Sequence, residues 1–423
     1  MKLYRKENAA ELMALLSDRA ENISPEIMNT VAEVIANVRK NGDAALLEYT
    51  EKFDKVKLTS FFMTEEEKEE LIKKVPAELR YAIDEAADNI RAFHEKQKQN
   101  SWMTNECGKI MGQLVRPIEK VGLYVPGGTA AYPSSVLMNA IPAKVAGVKK
   151  ITMVTPPKNE GINPAVVYAA KVAGVCDIVK VGGAQAVAAL AYGTESIERV
   201  DKIVGPGNIF VAMAKKLVFG AVDIDMIAGP SEVLVIADDR ANPAYVAADL
   251  MSQAEHDPMA ASILITTSEK LAGAVEKEIE AQKALLSRHD IIDRSLDAYG
   301  SIIIVDSLSE AAELSNKIAP EHLELSVADP FTLLPLITNA GSIFLGDNAP
   351  EPLGDYFAGP NHVLPTNGTA RFSSALGVDS FIKKSSYLYY SEDALQAIGE
   401  KVITFANAEG LSAHANSIKQ RLK

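Results

Sequence analysis

Cysteine and aromatic residues are scarce in this chain: 423 residues hold two cysteines, Cys107 and Cys176, one tryptophan and 6% aromatics. Two cysteines cannot build a disulfide framework. Cys176 lies just before an expected strand and Cys107 in a polar connection, so both read as inert. An aldehyde oxidation here should therefore proceed without a covalent thioester. Basic charge is also short, with 43 Lys and Arg against 56 Asp and Glu, a formal net charge of -13 and no cationic run. That balance argues against nucleic acid as a partner, though backbone N–H groups at helix starts can still bind a small anion such as a dinucleotide. No uninterrupted apolar run approaches the roughly 18–20 residues of a membrane span. Residues 1–24 mix acids, bases and short apolar clusters, which reads as a helix and not a signal peptide. The expectation is a soluble, cytoplasmic protein with no membrane contact. Repeats and low-complexity segments are absent.

What is present is an ordinary globular composition, 48% hydrophobic and 23% charged, long enough for two or three domains. Ser24-Pro25-Glu26 has the form of a helix start, with a Ser cap, a Pro in the first turn and an acid at the positive end. Ile27, Val31, Val34, Ile35 and Val38 then share one face, and Gly42 should end the segment. Thr64 with Glu67 is a capping-box pattern, and a third helix is expected from about Pro76, carrying Leu79, Ile83, Ile90 and Phe93. From Val121 short β-branched runs alternate with Ala-rich helical stretches: 121–125, 151–155, 177–181, 201–204, 233–237, 262–266, 301–305 and 342–345. The alternation predicts an α/β fold of two Rossmann-like units with mainly parallel sheets, joined near Ala228-Gly229-Pro230-Ser231, plus helical N-terminal and C-terminal extensions. The expected domains are residues 1–23 as an N-terminal helical extension, 24–121 with 232–375 as the first α/β domain, 122–231 as the second, and 376–423 as a C-terminal extension. A tail outside either sheet often packs on a partner subunit.

Three of the expected strands run into glycine turns, at Gly127-Gly128, Gly182-Gly183 and Gly205-Pro206-Gly207. Turns at the carboxyl ends of strands can let a pyrophosphate approach the backbone. None fits G-x-G-x-x-G and no acid stands in the usual ribose position, so they read equally well as plain βα connections. Of six histidines, His94 and His289 lie in charged stretches and read as surface residues. Gln253 and His256 are three apart at a helix end and can converge. Glu321 and His322 stand side by side, Asp355 and His362 bracket one loop, and Glu409 and His414 are close in the tail. Separated loops offering imidazole, carboxylate and amide oxygen suit zinc, yet each such His alone also suits a structural hydrogen bond.

Taken in order, Gly122–Gly128, Val181–Ala186, Gly205–Asn208, Ala228–Glu232, Gln253–Pro258, Ala319–Glu324, Pro360–Thr366 and Glu409–His414 resemble the histidinol dehydrogenase family over nearly the whole chain. The resemblance implies a zinc- and NAD-dependent oxidoreductase of histidine biosynthesis that converts L-histidinol to L-histidine through the aldehyde. It implies zinc, one per subunit, on Gln253, His256, Asp355 and His414; catalysis by Glu321 and His322; and NAD contacts at Tyr124, Gln185 and Asn208. Substrate contacts would be Ser231, Gln253, His256, His322, Asp355, His362, Glu409 and His414. It further implies a homodimer with shared active sites, the tail completing the partner's site and the terminal segments crossing over. The stretch 371–379 departs from the commoner family wording but lies outside these positions. Two other readings stay open: a paralogue oxidising another small polar alcohol, and a catalytically silent metal- or nucleotide-binding protein.

Overall fold

The computed structural model describes residues 1–5, 8–21, 25–127 and 132–422. The Ser24 cap and Gly128 lie outside the described residues. Fourteen strands occur among the described residues, in chain order β1 (Lys2–Arg5), β2 (Trp102–Glu106), β3 (Lys109–Pro117), β4 (Lys120–Tyr124), β5 (Lys150–Val154), β6 (Asp177–Val179) and β7 (Lys202–Val204). They continue with β8 (Asp223–Ile224), β9 (Glu232–Ala237), β10 (Ala261–Thr266), β11 (Ser301–Ile304), β12 (His322–Ser326), β13 (Ser342–Leu345) and β14 (Ile382–Tyr390). The eight strands expected from the alternation all form, within one or two residues at each end.

Two parallel sheets carry the fold. One has the order β6-β5-β4-β7-β8, the other β1-β11-β10-β9-β12-β13. Leaving out the edge strand β1, both follow the same plan: first strand in the middle, second and third to one side, fourth and fifth to the other. This is the half-unit of a doubly wound sheet. Every residue of β9, β10 and β12 is buried, as expected of strands covered by helices on both faces. The joint between the units falls between β8 and β9, at 225–231.

The N-terminal helices follow the sequence signals closely. Pro25–Tyr49 opens at Pro25, and Gly42 breaks its geometry with φ 52° before the helix resumes. Thr64 and Glu67 form the reciprocal capping box of helix Glu65–Lys73. Helix Ala77–Glu95 buries Ile83 and Ile90. The grouping differs from expectation, however. Val31, Val34, Ile35 and Val38 pack with Tyr124, Val154, Leu190 and Val211, and Ile83 and Ile90 with Leu123, Ile141 and Ile151. Residues 25–95 thus clothe the sheet of the 122–231 unit, not that of the 232–375 unit. An apolar helix face states that it must be covered but not by which sheet. Residues 1–23 differ as well: β1 adds in parallel to β11, and Leu12 of helix Ala9–Glu21 packs among Leu234, Ile263 and Leu323 of the same chain.

The strands with no sequence expectation are β1, β2, β3, β8, β12 and β14. β14 pairs antiparallel with β3, which pairs with β2, so the region expected to be a helical C-terminal extension also carries a strand. Past it, helices Gly399–Ala408 and Ser412–Lys419 pack on each other through Ile403, Ala406 and Ala415. Among the described residues no helix is long and apolar enough to cross a membrane.

Candidate active site

Helix Leu308–Ile318 stops on Ala319, whose left-handed φ of 52° closes the last turn, and Pro320 cannot extend it. The chain therefore swings straight into β12, and Glu321 and His322 fall at that strand's amino end. There β12 lies between β9 and β13, with His322 in register with Val233 and Ser342. Both side chains are buried and are held by the main chain of Glu232. Its N–H donates to Glu321 Oε2 at 2.9 Å, and its carbonyl accepts from His322 Nδ1 at 3.0 Å. The Glu232 side chain is held in turn by an ion pair with Arg19, which also donates to the Met259 carbonyl.

His322 Nε2 points away from Glu232, 3.6 Å from Asp355 Oδ1. Asp355 and Glu351 are four apart on helix Glu351–Tyr356 and so share a face. Ligand atoms of His322, Glu351 and Asp355 all lie within 4.8 Å of one another. Helix Pro243–Ala254 reaches this group through Ser252, whose hydroxyl donates to Glu351 Oε2 at 2.9 Å; Gln253 is the next residue, and His256 follows in the turn, its N–H donating to the Gln253 carbonyl. The His256 ring keeps an exposed face and interacts with Asp355 and His322. His362 Nδ1 donates to the Asp355 carbonyl at 3.0 Å, while its Nε2 stands 3.3 Å from Ser135 Oγ in the other α/β unit. Ser231 lies at the end of the joint, its carbonyl accepting from Ala261 N–H.

Electrostatics follow from packing so many titratable groups together. Burial pushes the Glu321 carboxyl up to about 7, against the pull of His322. Burial alone would lower His322, but Glu321, Asp355 and Glu351 outweigh it and raise its pKa to about 10. Burial likewise raises Glu351 to about 8. Asp355 stays below its usual range because His322 and His362 more than offset its burial. Burial lowers His256 and His362. Glu351 was not foreseen; its i, i+4 spacing to Asp355 is the one sequence signal for it.

Two atoms test whether a metal fits. Gln253 Oε1 and His322 Nε2 are buried without a hydrogen-bond partner, and an unpaired buried oxygen next to carboxylates and imidazoles suits a divalent cation. Of the expected zinc set, His256 interacts with Asp355, and Gln253 stands on the helix end that leads to His256. His414 does not join them: it is exposed on the terminal hairpin, as is Glu409, and the hairpin's small core contains only tail residues.

The expected dinucleotide residues stand at the carboxyl ends of β4, β6 and β7. Tyr124 ends β4 and its hydroxyl accepts from Gly183 N–H at 3.0 Å; burial pushes its pKa up to about 12. Gln185 is buried in the first turn of helix Gly183–Tyr192. Asn208 caps helix Ile209–Val218, its Oδ1 accepting from Phe210 and Val211 N–H. The turn before it, at Gly205, is fastened by Asp225, which accepts from Gly205 N–H and pairs with buried Lys215. The N–H groups of Gly183, Gly205, Phe210 and Val211 are thus each taken by a protein acceptor. His94 corrects an expectation: it is fully buried, its Nδ1 donating to the Ile90 carbonyl at 2.7 Å. His289 is exposed, and both cysteines are free thiols.

The histidinol dehydrogenase family model matches residues 17–422. Histidinol dehydrogenase of Clostridium acetobutylicum is 61% identical over 410 residues, 96% of this chain and 95% of that protein. That of Geobacillus kaustophilus is 56% identical over 425 residues, 100% of this chain and 99% of that protein. Among solved structures, histidinol dehydrogenase from Elizabethkingia anophelis superposes with a TM-score of 0.95 at 42% identity, covering 100% of this chain and 98% of that one. With sequence and architecture agreeing from one end to the other, the chain belongs to the histidinol dehydrogenase family.

Proposed function

We propose that this chain oxidises L-histidinol to L-histidine in two NAD-dependent steps, the alcohol passing through the aldehyde, with zinc at the Gln253–His256–Asp355 cluster. The observation that carries the reading is His322 Nε2, buried without a hydrogen-bond partner 3.6 Å from Asp355 Oδ1, with a second such atom, Gln253 Oε1, on the helix end that leads to His256. Zinc, when bound, anchors the amine and imidazole of the substrate and orients the carbinol carbon. NAD, when bound against the turns after β4, β6 and β7, supplies the oxidant for each step. His322 is the base for the alcohol proton. Its Nδ1–H is committed to the Glu232 carbonyl, which aims Nε2 at the substrate side. A cation on Asp355 opposes the rise that this carboxylate imposes on the imidazole. Glu321 activates the water that hydrates the aldehyde, the role a thiolate fills elsewhere. Ser231 and His362 line the substrate, and His362 also links the two units through Ser135.

The site of one chain is short of two expected members, Glu409 and His414. We assign them to the partner's site in a homodimer. The β2-β3-β14 ribbon supports this, leaving Trp102, Met103, Leu388 and Tyr389 each more than half exposed. A patch of that kind marks an interface. The reading as a whole is tested by product stoichiometry. Purified protein given L-histidinol should form two equivalents of NADH per substrate, with histidine as product. One equivalent with accumulated aldehyde, or none, would overturn it.

A further inference from the structure

Dinucleotide-binding sheets of this order usually carry an acid at the end of the second strand, where it accepts hydrogen bonds from the adenosine ribose. Here the second strand is β5, and it runs out into Thr155-Pro156-Pro157-Lys158, with no acid at its end. The space beyond it is an open cleft of about 310 Å³ lined by Asp54, Gly127 and residues 156–160. Three strand ends meet there. Pro156 follows β5 so closely against the turns after β4 and β6 that a Cβ on Gly127 would stand 3.1 Å from it, and one on Gly182 2.3 Å.

Asp54 arrives from outside the sheet. It ends the turn Thr50–Asp54, which continues helix Pro25–Tyr49, and the next residue, Lys55, is left-handed at φ 58°. Both flanks of the segment are fixed to the same unit. The helix packs on Val187, Leu190 and Val211. Downstream, Met63 N–H donates to the Ile178 carbonyl and Lys180 N–H to the Phe61 carbonyl, alongside β6. Asp54 is thus delivered to the cleft by well-held backbone, and its Oδ2 is buried with no hydrogen-bond partner. An unpaired carboxylate oxygen in a cleft is costly unless a donor fills it. Burial pushes the carboxyl up to about 6, which still leaves it an acceptor at neutral pH. It also interacts with Tyr124, the residue that ends β4.

We propose that Asp54 takes the place of the missing second-strand acid, receiving the 2′-hydroxyl of the adenosine ribose and so setting a preference for NAD over NADP. This rests on the NAD use proposed above. A carboxylate here accepts from a hydroxyl and repels a 2′-phosphate, which gives both the attraction and the rejection that specificity needs. Glu160, the other acid of the cleft, is exposed at the rim.

The test measures binding by calorimetry, without turnover, for NAD, NADP and the analogue lacking the adenosine 2′-hydroxyl. Wild-type protein should bind the deoxy analogue roughly 10–100-fold more weakly than NAD, the range of a hydrogen bond to a charged group. Asp54→Ala, which removes the acceptor as well as the charge, should bind the two alike and narrow the gap between NAD and NADP at least tenfold. Because each comparison is a ratio within one protein, a loss of folded fraction cancels. Glu160→Gln should keep the wild-type ratios. An Asp54→Ala protein that still separates NAD from its deoxy analogue as wild type does overturns the proposal, as does transfer of the whole effect to Glu160→Gln. Wild-type protein that binds neither NAD nor ADP-ribose defeats the NAD reading itself, and the proposal with it.

Discussion

Glu232 serves the site through its main chain: one N–H for Glu321 and one carbonyl for His322. Because both groups belong to a buried strand residue, neither catalytic side chain can swing without disturbing β9. The two roles should therefore separate cleanly under substitutions that keep shape. Glu321→Gln retains an oxygen for the Glu232 N–H but removes the base. Oxidation of supplied histidinal should fall by roughly the 10²–10⁴ of a lost acid–base group, with the alcohol step affected less. His322→Asn should show the reverse, a severe loss at the alcohol step. Single-turnover kinetics on each substrate checks this; equal slowing of both steps by Glu321→Gln, with chemistry rate-limiting, would show the roles to be wrongly divided.

At the scale of elements, the turn after β7 shows how tightly the dinucleotide end is built. Gly205 sits at φ 108°, and a Cβ there would lie 2.2 Å from the Tyr124 carbonyl oxygen. Gly205→Ala combines a left-handed backbone with a clash against a neighbouring strand. It should cost roughly 1–3 kcal/mol of stability, the range of strained backbone positions, and weaken NAD binding by parting β7 from β4. Denaturant unfolding and calorimetry check both; an Ala variant as stable as wild type would mean the turn can open freely. The same element scale explains what the sequence disclosed. β5, β9 and β10 were legible because strands buried on both faces read as near-continuous apolar runs rich in β-branched residues. β12 was not, because its buried positions include His322 and Glu324, polar residues kept there by the site. β2, β3 and β14 were missed because β2 and β14 are largely exposed and β3 is mostly half-buried, leaving no periodic apolar signal. Glu351 and Asp54 reach their places through tertiary packing alone. The segments Gln253–His256 and Glu321–His322 could be read because their members are adjacent in the chain.

At the scale of the molecule, the two α/β units share one strand order but use opposite ends of their sheets. The turns proposed for the dinucleotide stand at the carboxyl ends of β4, β6 and β7, whereas Glu321 and His322 stand at the amino end of β12. In the proposed function a substrate between the units would then meet zinc and base from one side and the oxidant from the other. The two members proposed to come from a partner lie on the terminal hairpin, where Glu409 and His414 are exposed with no body residue in the hairpin's core. A two-fold dimer presents each patch twice, so a hairpin that reaches the partner in one direction must do so in both. This is tested with His322→Ala and His414→Ala, each expected to be inactive alone. In mixed dimers with shared sites, one site collects both lesions and the other is intact. Random assortment makes about half the dimers mixed, so co-expressed protein should recover about a quarter of wild-type activity. If each chain supplied its own His414, every site would carry a lesion and nothing would be recovered. The association state of each variant, measured by light scattering, shows that the mixed dimers form. Mixed dimers that assemble normally and stay inactive would place His414 in its own subunit's site.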